Sequence, residues 1–330
     1  MSALPIIAIS TGDPNGIGVE IILKAFSNPA HFHHCIPVVF AHLDFMEQQQ
    51  EHFNTTAPLA EQTGNPKQGL LYVASIWKSL PKVSFGEQSP LAGKAAFESL
   101  EAAVTAVKIQ QADALVTAPI HKASIKSNAF PFAGHTHYLA KKWGGTALMI
   151  LAHKLLRVAL ATDHIPLREV SHQLSQPLLK QKLLQLNATL KRDFGCQSPK
   201  IAVLGLNPHA GDQGVIGNED DAILVPVLKE LVDDGIKVSG PFAADGFFGQ
   251  KKYANYDGVM SCYHDQGLVG FKTLAFGQGV NVTAGLPFVR TSPDHGTAFD
   301  IAGKGQAKEE SFVHAIAAAA TIWQTRQKKI

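Results

Sequence analysis

Cysteine is scarce in this chain: Cys35, Cys196 and Cys262 are the only three in 330 residues, with no C-x-x-C pair. An odd count at irregular spacing excludes a disulfide framework and points to a reducing compartment. Long apolar runs are missing too. Lys154 and Arg157 interrupt the most apolar region, so nothing reaches the roughly 20 residues of a membrane span. The opening residues carry no basic segment, and the apolar run at 6–9 reads as a first β-strand instead of an export signal. A cytoplasmic protein is expected. Nor does one sign of charge dominate: 29 Lys and Arg stand against 27 Asp and Glu, a formal net charge of +2. That balance argues against a nucleic-acid partner, and an anionic ligand has to be met by a local site. The two common nucleotide fingerprints are also absent. TGDPNGIG at 11–18 links a strand to a helix but lacks the Gly-Lys-Ser/Thr of a Walker A loop. GQG at 277–279 lacks the third glycine of G-x-G-x-x-G.

What is present is an α/β pattern. At about 150 residues per domain the length suggests two domains, and 45% hydrophobic with 17% charged residues suits a globular chain. Short apolar or β-branched runs predict strands at 6–10, 37–40, 114–117, 148–152, 158–162, 201–206 and 258–263. Helical spacing predicts helices at 19–26, 94–111, from Pro177 onward, at 219–233 and at 311–325. The stripe Leu179, Leu183, Leu186 and Leu190 is core, with no ligand role. Eight glycines fall between 267 and 305, a density that predicts turns and close backbone approach instead of regular elements.

Three histidines share one context. His164, His209 and His264 each follow a predicted buried strand, and ligands of open α/β sheets bind at the carboxyl ends of strands. Three neutral imidazoles suit zinc or a related divalent ion and leave an open coordination position. Asp163, Asp212 and Asp265 are candidates to orient the outer ring nitrogens. His31, His33 and His34 read as a solvated segment, and Cys262 as a packed, inert thiol.

Anion-binding candidates are polar residues in small or apolar surroundings. Gly134-His-Thr-His137 precedes a predicted helix starting near Tyr138; His135, Thr136 and free backbone N–H groups there suit a phosphate, while Thr136 as a plain N-cap is the alternative. Lys272, Asn281 and Arg290 lie in the glycine-dense region. Arg290 suits a bidentate carboxylate or phosphate contact and Lys272 a charge or proton-transfer role, against the alternative of snorkelling surface charges.

These segments together resemble the 4-hydroxythreonine-4-phosphate dehydrogenase family of pyridoxal phosphate synthesis. The carrying stretches are TGDPNGIGVE at 11–20, LVTAPIHK at 115–122, FAGHT at 132–136 and ATDHIPL at 161–167. LNPHAG at 206–211, YHDQG at 263–267 and GLPFVRTSPDHGT at 285–297 continue the match. The resemblance implies a two-domain α/β/α architecture of the isocitrate/isopropylmalate dehydrogenase type, with the active site in the interdomain cleft. Residues 1–130 with 285–330 would form one domain and 131–284 the other. It implies His164, His209 and His264 as ligands of zinc, or of magnesium or cobalt. His135, Thr136, Lys272, Asn281 and Arg290 would bind the phosphorylated hydroxy amino acid, with Lys272 and His135 the catalytic candidates. Asp294, His295, Gly296 and Thr297 would meet NAD, or NADP. A homodimer with the active site at its interface is implied as well. The chain departs from the family pattern at His137, Gly246 and Gly270. Phosphorylated threonate or erythronate is therefore the alternative substrate, and a metal-dependent lyase or phosphatase a more distant one.

Overall fold

Side chains that fill both faces of a parallel sheet leave no room for polar alternation, so its strands read as apolar runs. The computed structural model describes residues 4–132 and 134–328. Among these residues the strands are β1 (Ile6–Ser10), β2 (Ile36–Ala41), β3 (Leu59–Glu61), β4 (Leu71–Ser75), β5 (Ala114–Thr117) and β6 (Leu148–His153). They continue as β7 (Leu156–Leu160), β8 (Lys200–Leu204), β9 (Lys237–Phe242), β10 (Gly258–Ser261), β11 (Val280–Ala284) and β12 (Val289–Pro293). The chain divides into two compact units: residues up to Ala147 with those from Leu286 onward, and Leu148–Gly285. The sequence drew the first boundary at 130. The helix His135–Trp143 lies beyond that point but packs Tyr138, Leu139 and Trp143 into the first unit's core.

In the first unit the order is β3-β4-β2-β1-β5-β12, and each pairing is parallel. Ala8 and Leu115 from the sheet pack with Leu100, Val104 and Val107 of the helix Pro90–Lys108. That helix starts earlier than its apolar spacing suggested, because Ser89 caps it by accepting from the Ala92 N–H and Pro90 fits the first turn. It also carries a glycine with a packing reason. A Cβ on Gly93 would lie 1.9 Å from the Ser124 carbonyl oxygen.

In the second unit the order is β11-β6-β7-β10-β8-β9. β11, β6 and β7 pair antiparallel, whereas β7, β10, β8 and β9 pair parallel. The helix Gln176–Arg192 buries Leu179, Leu183, Leu186 and Leu190 completely, as the stripe predicted. A Cβ at Gly258 of β10 would approach the Leu190 side chain at 3.0 Å. Because β7, β10 and β8 are adjacent and parallel, their carboxyl ends share one edge. Those strands stop at Leu160, Ser261 and Leu204, two residues before the expected ends.

The glycine-dense region corrects an expectation. Between 267 and 305 lie most of the helix His264–Ala275 and the whole of β11 and β12. The glycines at 277, 285, 303 and 305 have positive φ and serve the turns between or after these elements. Gly267 and Gly270 are helical and admit close neighbours: a Cβ would come within 2.7 Å of Val158 and of the Phe248 ring, respectively.

Gly93→Ala should destabilise the protein by about 1–3 kcal/mol, although Ala is the better helix former by about 1 kcal/mol. Urea denaturation checks the sign. A variant as stable as the parent would show that the Pro90–Lys108 helix and the Ser124 backbone are not in close approach.

Candidate active site

The second unit carries the proposed metal ligands. After β7 the chain continues to pair with the end of β10, through Ala161 N–H to the Ser261 carbonyl and Thr162 N–H to the Cys262 carbonyl. His164 follows, its N–H donating to Asp163 Oδ1 at 2.6 Å. After β10, His264 opens the helix His264–Ala275. Its Nδ1 lies 2.6 Å from Asp265 Oδ1; a carboxylate oxygen accepts, so Nδ1–H donates and Nε2 is the ring nitrogen left toward a ligand. The two rings lie 5.5 Å apart between centroids. Two imidazoles on one zinc ion, with N–metal bonds near 2.0–2.1 Å at a tetrahedral angle, give a separation of about 5 Å. The pair fits that chemistry. His209 follows β8 on an exposed loop at φ 54°. Among the described residues no three His, Cys, Asp or Glu side chains gather around one ion position, so a single chain brings His164 and His264 together without completing a three-ligand set. Gln266 ties two of the loops: it accepts from Cys262 N–H and donates to the Gly205 carbonyl. Cys262 is packed, and burial pushes its thiol pKa up, consistent with an inert role.

Lys272 stands eight residues after His264 on the same helix, a rise of about 12 Å along the axis, and is exposed. Asn281 lies on β11, with its Oδ1 buried and no hydrogen-bond partner among the described residues.

The first unit holds the other polar set. Arg290 is not a snorkelling surface charge. It sits on β12 at 3% exposure, donating to Thr117 Oγ1 at 2.6 Å at the end of β5. Burial pulls its pKa down to about 9, which leaves it a cation at neutral pH. Thr136 is not an N-cap either. The helix begins at His135 with Gly134 as its cap residue, so Thr136 lies inside the first turn, where free N–H groups face the same end. His135 Nε2 is buried and has no partner among the described residues. Its pKa is held well below 6.5 by burial first, then by the positive charges of Arg290 and Lys122. A neutral imidazole, a buried guanidinium and a helix N-terminus form a site suited to an anion.

Asp294, His295, Gly296 and Thr297 follow β12. Asp294 N–H donates to Ser311 Oγ, and the Thr297 carbonyl accepts from Ile17 N–H. His295 Nε2 is a further buried ring nitrogen with no partner among the described residues. Beyond them, Lys24 Nζ donates to the Gly305 and Ala307 carbonyls, while buried Glu20 accepts from Lys24 and from Ala307 N–H. The segment TGDPNGIG is buried throughout and is no solvent-exposed loop. Instead it organises neighbouring loops: Asn15 accepts from Ser84 N–H and donates to the Glu87 carbonyl, and Asp13 N–H donates to the Pro119 carbonyl.

With this geometry in view, likeness to known proteins decides the family. The model of the pyridoxal phosphate biosynthetic protein PdxA matches residues 33–319. A 4-hydroxythreonine-4-phosphate dehydrogenase of Bacteroides thetaiotaomicron is 44% identical, over 98% of this chain and 90% of the relative. The chain belongs to the PdxA family. The crystal structure of a Klebsiella pneumoniae 4-hydroxythreonine-4-phosphate dehydrogenase superposes with TM-score 0.85 at 34% identity, covering 98% of this chain and 100% of that one. An isocitrate dehydrogenase of Methylococcus capsulatus, 13% identical with TM-score 0.50 over 97% and 85% of the two chains, shows the shared fold alone. This PdxA-family chain is thus an α/β protein of the expected isocitrate dehydrogenase-like fold, and its named relatives are oxidoreductases. No helix among the described residues is long and apolar enough to cross a membrane.

Sequence reasoning missed Thr117, Lys122 and Gln266. Thr117 and Lys122 lie in the family stretch LVTAPIHK, and Gln266 in YHDQG, but no spacing marks them out. Of the family departures, Gly270 has a visible consequence. The helix His264–Ala275 runs through it without a break, and the Phe248 ring covers the place a side chain would take.

The depressed pKa of His135 fixes a sign. An unfolded imidazole takes a proton near pH 6.5 that the folded site refuses, so the contribution to stability is lost as the pH falls below 6.5. The stability difference between parent and His135→Asn, measured by urea denaturation over a pH series, should therefore change below that value, with the parent falling more steeply. Parallel curves would show an imidazole that titrates normally.

Proposed function

We propose that this chain is a 4-hydroxythreonine-4-phosphate dehydrogenase of pyridoxine 5'-phosphate synthesis, dependent on NAD and a divalent metal. The observation that carries the proposal is the His164–His264 pair at zinc-compatible spacing, in a chain 44% identical to a relative of that name. The substrate would be 4-phosphooxy-L-threonine. The C3 hydroxyl loses its proton and C3 itself loses a hydride to NAD+, which gives 2-amino-3-oxo-4-phosphooxybutanoate. That β-keto acid then loses carbon dioxide to give 3-amino-2-oxopropyl phosphate.

His164 and His264 would hold the ion through Nε2, with Asp265 keeping the His264 proton on Nδ1. His209 would be the third ligand, supplied by a second copy in a homodimer. Zinc suits three imidazoles, with magnesium or cobalt as alternatives. When bound, the ion supplies Lewis acidity toward the C3 hydroxyl, and the nicotinamide accepts the hydride. Arg290, Thr136 and the first-turn N–H groups of the His135 helix would bind the phosphate. The neutral His135 Nε2 is suited to share a proton with it. Asn281 Oδ1 would accept from the substrate's hydroxyl or ammonium group, and Lys272 would take the C3 proton. Asp294, His295, Gly296 and Thr297 would meet the dinucleotide. These phosphate contacts contribute fixed binding energy that orients C3 for transfer.

NADH formation from 4-phosphooxy-L-threonine tests the proposal, with phosphorylated threonate and erythronate in parallel. Activity should vanish on chelation and return with zinc, magnesium or cobalt. Faster turnover of a phosphorylated acid that has no amino group would move the substrate assignment. Metal-dependent phosphate release or cleavage without nicotinamide reduction would support a phosphatase or lyase instead.

Arg290→Met keeps the apolar stem and removes the guanidinium. Loss of a charge-assisted contact of about 1.5–3 kcal/mol should raise KM by about 10- to 100-fold, and added metal should not restore it. An unchanged KM would place Arg290 away from the substrate.

Mixing His164→Ala with His209→Ala tests the shared ligand set. If the two ligands come from different subunits, half of randomly exchanged dimers are mixed, and each mixed dimer has one intact site. Up to about a quarter of parental activity should return. No recovery after subunit exchange proven by mass spectrometry would assign both ligands to one chain.

A further inference from the structure

The loop that presents His209 has an uncommon backbone. Six consecutive residues have positive φ: His209 54°, Ala210 54°, Gly211 82°, Asp212 45°, Gln213 55° and Gly214 89°. L-residues enter this left-handed region singly as a rule, because Cβ crowds the following carbonyl. Four of these six carry a Cβ, so the turn persists only if its surroundings over-determine it. Its backbone bonds are short-range: Ala210 N–H to the Asn207 carbonyl at 3.0 Å, Asp212 N–H to His209 at 3.3 Å, Gly214 N–H to Gly211 at 3.0 Å, Val215 N–H to Asp212 at 3.2 Å and Ile216 N–H to Gly211 at 2.9 Å, and the first of them ties the turn to Asn207.

The outside support comes from one buried carboxylate. Asp220 is fully buried; its Oδ1 accepts from Leu206 N–H at 2.7 Å and its Oδ2 from Asn207 N–H at 3.0 Å. Neighbouring Glu219 accepts from Asn207 Nδ2 at 2.9 Å, so consecutive acidic residues grip the main chain and side chain of the same asparagine. Pro208 follows with a fixed φ, and His209 comes next. Two glycines enclose the carboxylate. A Cβ on Gly205 would lie 2.9 Å from Asp220 Oδ1, and one on Gly211 would lie 3.5 Å from Oδ2.

We propose that Asp220 is a positioning residue of the metal site, holding the left-handed turn that presents His209. It acts through the backbone and touches no ligand position itself. The proposal rests on His209 being a metal ligand, and it adds a residue that the three-histidine pattern does not reveal. Removing the carboxylate leaves two part-buried N–H groups without their acceptor, and the turn relaxes toward right-handed conformations that carry His209 elsewhere.

The test is zinc binding to the full-length chain by equilibrium dialysis, with cobalt(II) absorption as a report on coordination geometry. In Asp220→Asn that still melts cooperatively, the zinc dissociation constant should rise at least about 10-fold and the cobalt spectrum should change. Gly211→Ala strains the same turn with Asp220 intact, since its Cβ would meet the Gly217 carbonyl oxygen at 2.9 Å. It should lose zinc affinity likewise, and it decides the matter alone if Asp220→Asn does not fold. Leu186→Ala opens a cavity in the same unit and should lower stability without weakening zinc binding, which separates positioning from general destabilisation. Parental zinc affinity in folded Asp220→Asn or in Gly211→Ala would overturn the proposal. Failure of the parent chain to bind zinc would instead remove the metal assignment, and the positioning role with it.

Discussion

Parallel pairing of β7 with β10 and of β10 with β8 is the constraint on which the second unit's chemistry depends. Parallel neighbours present all their carboxyl ends on one side, and the connections back to the other side must be long. The loops bearing His164, His264 and His209 therefore leave from one edge. Hydrogen bonds carry the order beyond the strands: Thr162 N–H donates to the Cys262 carbonyl, and the Gln266 side chain joins Cys262 to Gly205.

The first unit meets a different demand, that of keeping charge inside. A buried guanidinium loses its hydration, and only hydrogen bonds and an opposing charge offset that cost. Arg290 has Thr117 as one such partner, and burial first, then the charges of Arg290 and Lys122, lower the His135 pKa. Glu20 is buried on similar terms, offset by Lys24 and the Ala307 N–H. Asp13 is buried among backbone groups, and desolvation raises its pKa despite a hydrogen bond from Asn15. These groups tie the end of β5, the segment near Ala307 and the loop at Asp13–Asn15 to the elements beside them. Rigid support of this kind lets a site bind without reordering the chain.

Much of this was legible beforehand. The apolar runs located β1, β2, β5 and β6 closely, and the leucine stripe located the core face of the helix Gln176–Arg192. The three strand-end histidines were visible as a repeated context. β11 and β12 were not, because eight glycines hid two regular strands and a helix behind a turn-like composition. Thr136 read equally well as a cap or a ligand, and Arg290 as a snorkelling surface charge or an anion ligand. The assignments of these two turned on where the His135 helix begins and on what surrounds β12.

The sequence by itself determined the α/β class, the family, the buried stripes and the residue types available for chemistry, because these follow from local periodicity and motif. Tertiary structure alone decided that the His164 and His264 rings lie 5.5 Å apart between centroids. It alone buried Arg290 beside Thr117, buried TGDPNGIG, and set Asp220 against the Leu206 and Asn207 N–H groups just before His209. Each depends on groups far apart in the chain or on a backbone handedness held from outside. Pairing across such distances is set by packing and hydrogen-bond satisfaction, which no local window of sequence contains.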